Sequence, residues 1–171
     1  MNKYNENNSA FIDGANLFCG IKDSGWILDY RKFRIWLLEK YSVKKAYLFI
    51  GFVKKYEFLY RNLKNIGYIL IFKETVSTKD GKIKGNCDAD LVLSAAQGAY
   101  ENLYDRVILV SSDGDYVSLV KFLVKRNKFK IILSPDIKCS LLLKRVGVKI
   151  VYLNDQKNIL EAKNKKAPDT D

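Results

Sequence analysis

The chain has no histidine at all. That absence removes Ser-His-Asp and Cys-His catalysis, His-ligated zinc and imidazole acid–base chemistry. Any catalysis must use carboxylates, lysines, hydroxyls or a metal held by oxygen ligands. Cysteine is scarce as well. Cys19, Cys87 and Cys139 are odd in number, widely spaced, and form no Cys-x-x-Cys pair. They read as buried reduced thiols, not as disulfides or zinc ligands. No apolar run approaches the roughly 18 residues that a membrane span needs. The stretch 1–10 is polar and lacks a signal-peptide core. The expectation is a cytoplasmic protein with no membrane partner. Two glycine motifs are also missing. Without Gly-x-x-x-x-Gly-Lys-Ser/Thr there is no P-loop, and without Gly-x-Gly-x-x-Gly after a strand a dinucleotide fold has no support.

What remains is basic and well patterned. The 171 residues carry 30 Lys and Arg against 19 Asp and Glu, a formal charge of +11. Such an excess favours a polyanionic partner, nucleic acid or an anionic surface. The length suits one domain that buries roughly two-thirds of its unfolded surface. Apolar content is 48%, ordinary for a globular chain, so disorder is expected only at the ends. The expected division is a flexible segment 1–9, one domain 10–161 and a disordered tail 162–171.

Short apolar runs alternate with helical periods. Ala10-Phe11-Ile12, Lys45–Ile50, Tyr68–Phe72, Val107–Val110, Lys130–Leu133 and Lys149–Tyr152 read as strands. Asp29 is a good N-cap for a helix with Phe33, Trp36, Leu37 and Tyr41 on one stripe. Phe58, Leu59, Leu63 and Ile66 mark another helix, stopped by Gly67. Further helices are expected from about Cys87 to Tyr100, through Tyr116, Leu119, Val120, Leu123 and Val124, and through Leu141, Leu142 and Val146. The polar stretch 73–85 contains Asp80-Gly81, a signal for a small hairpin. The alternation predicts one mostly parallel sheet flanked on both faces, a three-layer α/β/α sandwich.

Three acidic clusters fall at similar places in this pattern. Asp13 ends one strand, Asp88 and Asp90 open a helix, and Asp113 and Asp115 follow another strand. Ligands of open α/β sheets bind at the carboxyl ends of strands. If the strands ending at Ile12 and Val110 are neighbours, the clusters converge on one edge. Two charges about 5 Å apart repel by roughly 3 kcal/mol at an effective dielectric near 20, so the gathering calls for a cation. Oxygen-only ligands suit Mg²⁺ or Mn²⁺. The plain alternative makes each aspartate an independent cap or turn residue. A haloacid-dehalogenase-type phosphatase is weakly supported, because Ala15 stands where its second acid belongs.

Phe11-Ile12-Asp13-Gly14-Ala15-Asn16-Leu17 resembles the opening motif of NYN domains, the PIN-like nucleases that include the bacterial LabA-like group. Lys84-Gly85-Asn86-Cys87-Asp88-Ala89-Asp90-Leu91 is similar to their central Lys-Gly-x-x-Asp segment, and Val110–Tyr116 to their Ser-Gly-Asp-x-Asp-Phe segment. The likeness spans about residues 10–152, with Ser112 in place of the usual glycine and Tyr116 in place of the usual phenylalanine. The resemblance implies a PIN-like fold and, for many members, metal-dependent RNA hydrolysis. It assigns the metal to Asp13, Asp88, Asp113 and Asp115. Asn16 could orient a carboxylate or touch a phosphate. Ser111 and Ser112 either donate to the site or build its turn. Helical register separates Asp88 from Asp90 by about 200°. Asp88, Leu91, Val92, Ala95 and Ala99 should face the sheet, leaving Asp90 in a supporting place at the water-facing helix start.

The lysines have a geography too. Lys73, Lys79, Lys82 and Lys84 bracket the polar loop, and Lys54 and Lys55 follow a strand beside Phe52 and Tyr56. Lysines along phosphates and aromatics under bases make a single-strand groove. A generic basic face is the alternative. The expected activity is metal-dependent (endo)ribonuclease action on single-stranded RNA with Mg²⁺ or Mn²⁺. A non-catalytic RNA-binding or regulatory adaptor on the same fold is the rival, a phosphatase on small phosphoesters a weaker third, and a homo-oligomer stays open.

Overall fold

Period-two alternation along each central strand divides the interior into two cores. The computed structural model describes residues 6–73, 76–77, 83–84 and 87–163. In β1 (Asn8–Asp13) Ala10 and Ile12 enter one core and Phe11 the other. In β6 (Val107–Val110) Ile108 and Val110 share the first core while Val107 and Leu109 share the second. All four residues of β6 are buried, as a strand covered on both faces requires.

Helices cover the two faces separately. On the first lie α1 (Gly14–Asp23), α2 (Tyr30–Tyr41) and α3 (Glu57–Ile66), with α7 (Lys157–Leu160) at the chain's far end. On the second lie α4 (Cys87–Tyr100), α5 (Val117–Lys125) and α6 (Leu141–Arg145). β2 (Val43–Gly51), β3 (Tyr68–Lys73), β7 (Phe129–Ser134) and β8 (Ile150–Tyr152) complete a six-stranded, all-parallel sheet in the order β3-β2-β1-β6-β7-β8. β4 (Val76–Ser77) and β5 (Ile83–Lys84) form a separate antiparallel pair, the expected hairpin, with its turn outside the described residues. No helix among the described residues is long and apolar enough to cross a membrane.

The α2 reading holds in detail. Asp29 accepts from the N–H groups of Arg31 and Lys32 at 2.9 and 3.1 Å, and Phe33, Trp36, Leu37 and Tyr41 are buried. Truncating a side chain such as Phe33 to alanine would cost about 3–5 kcal/mol.

Other expectations need correcting. A helix, α1, follows β1 directly, where the sequence signals none; Gly14 and Gly20 are weak helix formers. Gly14 is required there, because a Cβ would stand 2.8 Å from the Phe49 carbonyl oxygen of β2. α3 buries Tyr60 and Leu63, while Phe58 and Leu59 are exposed. In α6 it is Leu143 that is buried, while Leu141 and Leu142 face out, and Val124 of α5 is likewise exposed. Cys139 is a buried thiol as expected, but Cys19 is exposed. β1 starts at Asn8, inside the segment expected to be flexible, because Asn8 and Ser9 pair with the backbone of neighbouring segments. At the other end, the Ala162 N–H donates to the Ile27 carbonyl.

Candidate functional site

The connections leaving β1 run toward β2 and β3 with their helices on one face. Those leaving β6 run toward β7 and β8 with helices on the other. β1 and β6 are themselves parallel neighbours, Ile12 opposite Val110. Their carboxyl ends therefore flank the topological switch point, where open α/β sheets leave a crevice. Asp13 closes β1 on one side of it, and 111–115 close β6 on the other.

Two contacts span the crevice. The Asn16 side-chain carbonyl, on the first turn of α1, accepts from both the N–H and the hydroxyl of Ser112, at 2.9 and 3.0 Å. Asn16 is thus a strut that fixes the β6 turn against α1. The second contact is the Tyr116 phenol. It donates to Asp88 Oδ1 at 2.6 Å and lies 3.1 Å from Asp13 Oδ2. Asp13 and Asp88, 75 residues apart in the chain, meet at one hydroxyl. A phenol carries a single proton, so it serves two carboxylates with one donor.

The electrostatics follow from this crowding. Asp13 is buried, and burial pushes its carboxyl above the ordinary 3.8. The Asn16 N–H (3.0 Å) and the Tyr116 hydroxyl oppose that rise, while the charges of Asp88 and Asp113 add to it. The Tyr116 phenol is pushed strongly up, first by burial and then by the charge of Asp13 and by Asp88.

The other expected site residues have distinct places. Asp113 caps the short 3-10 turn Gly114–Tyr116, its carboxylate accepting from the Asp115 N–H at 3.0 Å. The Ser111 hydroxyl, fully buried, accepts from the Asp113 N–H at 3.1 Å, and Ser112 is held by Asn16. Both serines build the turn. Asp115 is exposed, and its carboxylate bonds to no described residue. On α4 Asp88 is half-buried and turned to Tyr116, whereas Asp90 is exposed. Leu91, Ala95 and Ala99 are buried beneath them, as helical register requires. Capping and convergence are therefore not alternatives, since Asp13 caps α1 and faces Asp88 through a shared donor.

The donor chemistry fits a hard divalent cation, being carboxylate oxygens of which one, Asp13, is buried beside two other carboxylates. Among the described residues, however, no group of three or more acidic or thiol side chains stands close enough together to hold a metal ion. Two carboxylates share a phenol, and the third folds back on its own turn.

Lys54 and Lys55 are exposed on the 3-10 turn after β2, with the Lys55 ammonium 5.0 Å from the Tyr56 ring centre. The Lys73 ammonium is instead enclosed and has no hydrogen-bond partner among the described residues. Lys79 and Lys82 lie outside the described residues, and Lys84 is described only as backbone of β5.

Tyr116 is the residue that sequence reasoning placed only as core. A signal was available: a buried tyrosine needs a hydrogen-bond acceptor, and at that end of the sheet the side-chain acceptors are aspartates.

Comparison with known proteins adds three findings. A family model described as the NYN domain matches residues 9–156. The low amplitude and bright protein LabA of Synechococcus elongatus is 23% identical over 170 residues, covering 94% of this chain and 90% of LabA. A crystal structure of a protein of unknown function from Vibrio parahaemolyticus superposes with a TM-score of 0.75 at 24% identity, covering 91% of this chain and 97% of that one.

Proposed function

The chain belongs to the NYN domain family, a nuclease-like family, and from that premise we propose that it is a metal-dependent ribonuclease acting on single-stranded RNA. The observation that carries this reading is the meeting of Asp13 and Asp88 at the Tyr116 hydroxyl, in the switch-point crevice, with the Asp113 charge acting on the same buried carboxyl. Converging carboxylates repel one another, and a bound cation would offset that repulsion.

Asp13, Asp88 and Asp113 would hold Mg²⁺ or Mn²⁺, with Asp115 exposed beside them. When bound, the ion supplies positive charge against the phosphodiester and polarises a water. The chain's own residues do the rest. Asn16 and Ser112 hold the two walls of the crevice at fixed separation. Tyr116 holds the Asp13 and Asp88 carboxylates in register. Lys54 and Lys55 offer positive charge to the strand's phosphates beyond the crevice.

One observation favours a second reading, a non-catalytic RNA-binding adaptor: no three acidic side chains are gathered among the described residues. Incubation with labelled single-stranded RNA separates the two. A ribonuclease cleaves with Mn²⁺ and stops in chelator. An adaptor binds the RNA equally in both conditions and leaves it intact, an outcome that refutes the enzyme reading.

A further inference from the structure

Next to the carboxylate crevice, at the same edge of the sheet, lies a second feature that the carboxylate chemistry does not use. β2 leaves the sheet at Gly51 and continues as Phe52, while β3 runs beside it to Phe72 and Lys73, with Ile50 opposite Phe72. α3 closes this corner. Its Glu57, Tyr60, Arg61 and Lys64 recur at helical spacing and so share one face. Together with Phe52 and Phe72 they line a cleft of about 360 Å³, within the range of small-ligand sites, about 300–1,000 Å³.

The cleft is built, not incidental. Its floor, Tyr60, is buried, and its hydroxyl donates to the Gly51 carbonyl at 3.2 Å while accepting from the Val53 N–H at 3.0 Å. That pair of bonds fixes the chain where it leaves β2, and with it the Phe52 ring. Phe52 and Phe72 meet edge-on at 5.5 Å, and Tyr60 and Phe72 at 4.9 Å. These rings are too close together for a ligand to insert between them. A ligand must lie on the outer wall, and Phe52 is 43% exposed there. The Lys64 ammonium stands 5.7 Å from the Phe72 ring centre, and Arg61 is exposed on the same helix face.

Arg61 and Lys64 together exceed the charge of Glu57 on the same wall by one, an excess that a purely apolar ligand would not use, and an inorganic anion would leave the aromatic wall wet. A flat heterocycle joined to a phosphodiester uses both parts. We propose that this cleft is a nucleobase site, stacking an unpaired base of the RNA on Phe52 while Arg61 and Lys64 take the adjoining phosphate. The inference rests on the RNA reading above and deepens it. Asp13 pairs with Phe49, so Phe52 lies about 10 Å farther along the strand direction and one strand across. The base belongs to a nucleotide flanking the scissile phosphate, which makes the cleft a device for selecting single strands over duplex.

The test uses the full chain in chelator, where nothing is cut, and fluorescence anisotropy with labelled single-stranded oligonucleotides. One set is intact and the other carries abasic nucleotides at successive positions. Phe52→Ala should weaken binding of intact RNA between about 5- and 150-fold, the range of a stacked base, and leave binding of the oligonucleotide abasic at the critical position unchanged. Phe52→Leu, which keeps an apolar wall without a π-face, should behave like Phe52→Ala and so separate stacking from loss of packing. Arg61→Gln with Lys64→Gln should lower the log–log salt slope by about 0.7, the value for one single-strand phosphate, whereas Phe52→Ala leaves it alone. Equal weakening of intact and abasic strands by Phe52→Ala, or no weakening of either, overturns the site. Cleavage by the wild type with Mn²⁺ is scored separately. A protein that cleaves but shows no abasic dependence keeps the ribonuclease reading and loses this one. A protein that does not cleave but shows the dependence does the reverse, and a wild type that binds no RNA overturns both.

Discussion

The two edges of the sheet treat their acids in opposite ways. At the amino edge, Glu6 forms an ion pair with Lys130, which lies on β7, and accepts from Asn8 at 2.7 Å. Asp105 accepts from the Asn7 N–H, also at 2.7 Å. The hydrogen bond from Lys130, and after it the one from Asn8, pulls the Glu6 carboxyl below its ordinary 4.5. At the carboxyl edge, Asp13 and Asp88 face each other across one phenol, and burial drives Asp13 upward. One chain with 30 basic residues pairs its acids where they only hold the fold. At the switch point it gathers two of them around one hydroxyl. The amino edge gives its acids partners from the chain, whereas the carboxyl edge brings two carboxylates to one hydroxyl, the arrangement on which the proposed cation site depends.

The sharpest way to break that contrast is to remove one carboxylate of the pair. Asp88→Asn should lower Mn²⁺-dependent RNA cleavage by about 100-fold or more, on the scale of losing a group that acts on the transition state. Asp90→Asn, two residues along the same helix but exposed, should stay within a few-fold of wild type. Single-turnover cleavage assays on both variants check this, and equal losses would place the register of α4 wrongly.

Next in size is the phenol. Tyr116→Phe removes a donor shared by Asp13 and Asp88, a hydrogen bond to charged groups worth about 1.5–3 kcal/mol. The metal-free melting temperature should fall by about 3–12 °C. Saturating Mn²⁺ should restore more of it in the variant than it adds to the wild type. Thermal melts with chelator and with Mn²⁺ read both effects, and an equal metal response in the two proteins would detach Tyr116 from the cation.

A smaller effect of the opposite sign is expected at Asp13. Its raised carboxyl means that the folded state binds that proton more tightly than the unfolded chain does. This contribution to stability is therefore present in full below about pH 4 and lost as pH rises through the raised folded value. Asp13→Asn keeps a side chain able to cap α1 and removes the buried charge. At neutral pH without metal it should melt higher, by about 2–4 °C per kcal/mol relieved. Below pH 4 the difference should vanish. A melting curve that falls with Asp13→Asn at neutral pH would mean that the carboxylate is wholly structural.

The amino edge supplies the control. Glu6 has a lowered carboxyl, so its contribution is present above about pH 4.5 and is lost as pH falls through the lowered folded value. The pair is partly exposed and screened by solvent, so Glu6→Gln should cost only a few tenths of a kcal/mol. The cost should be independent of Mn²⁺. A metal-dependent change would mean that the two edges are coupled.

Local patterns made much of this protein legible without a structure. The cap at Asp29 and the α2 stripe, the alternating strands and the sheet-facing register of α4 all arise from contacts between residues close in sequence. Their signals are written in 3.6- and 2-residue periods. So is the placing of Asp13, Asp88 and Asp113 at element ends, which together with three motifs located the candidate edge. The same periods misjudged α3, because Phe58, Leu59, Tyr60 and Leu63 are all apolar enough to face a core. Only the position of β3 and the chain leaving β2 turned Tyr60 inward and left Phe58 outside.

What the tertiary structure alone decided is what touches what across long separations. Tyr116 reads in sequence as one more core aromatic. It becomes the meeting point of two aspartates only because β1 and β6 are neighbours and α4 packs against β1 and β2 on the face that Tyr116 enters. Asn16 reads as a candidate ligand, yet its carbonyl is taken by Ser112, 96 residues away. Lys73 counts as one more cation in sequence, and its ammonium is enclosed in the fold. A sequence carries residue chemistry and local period, whereas hydrogen-bond partners depend on distances that exist only after strands pair and helices choose a face.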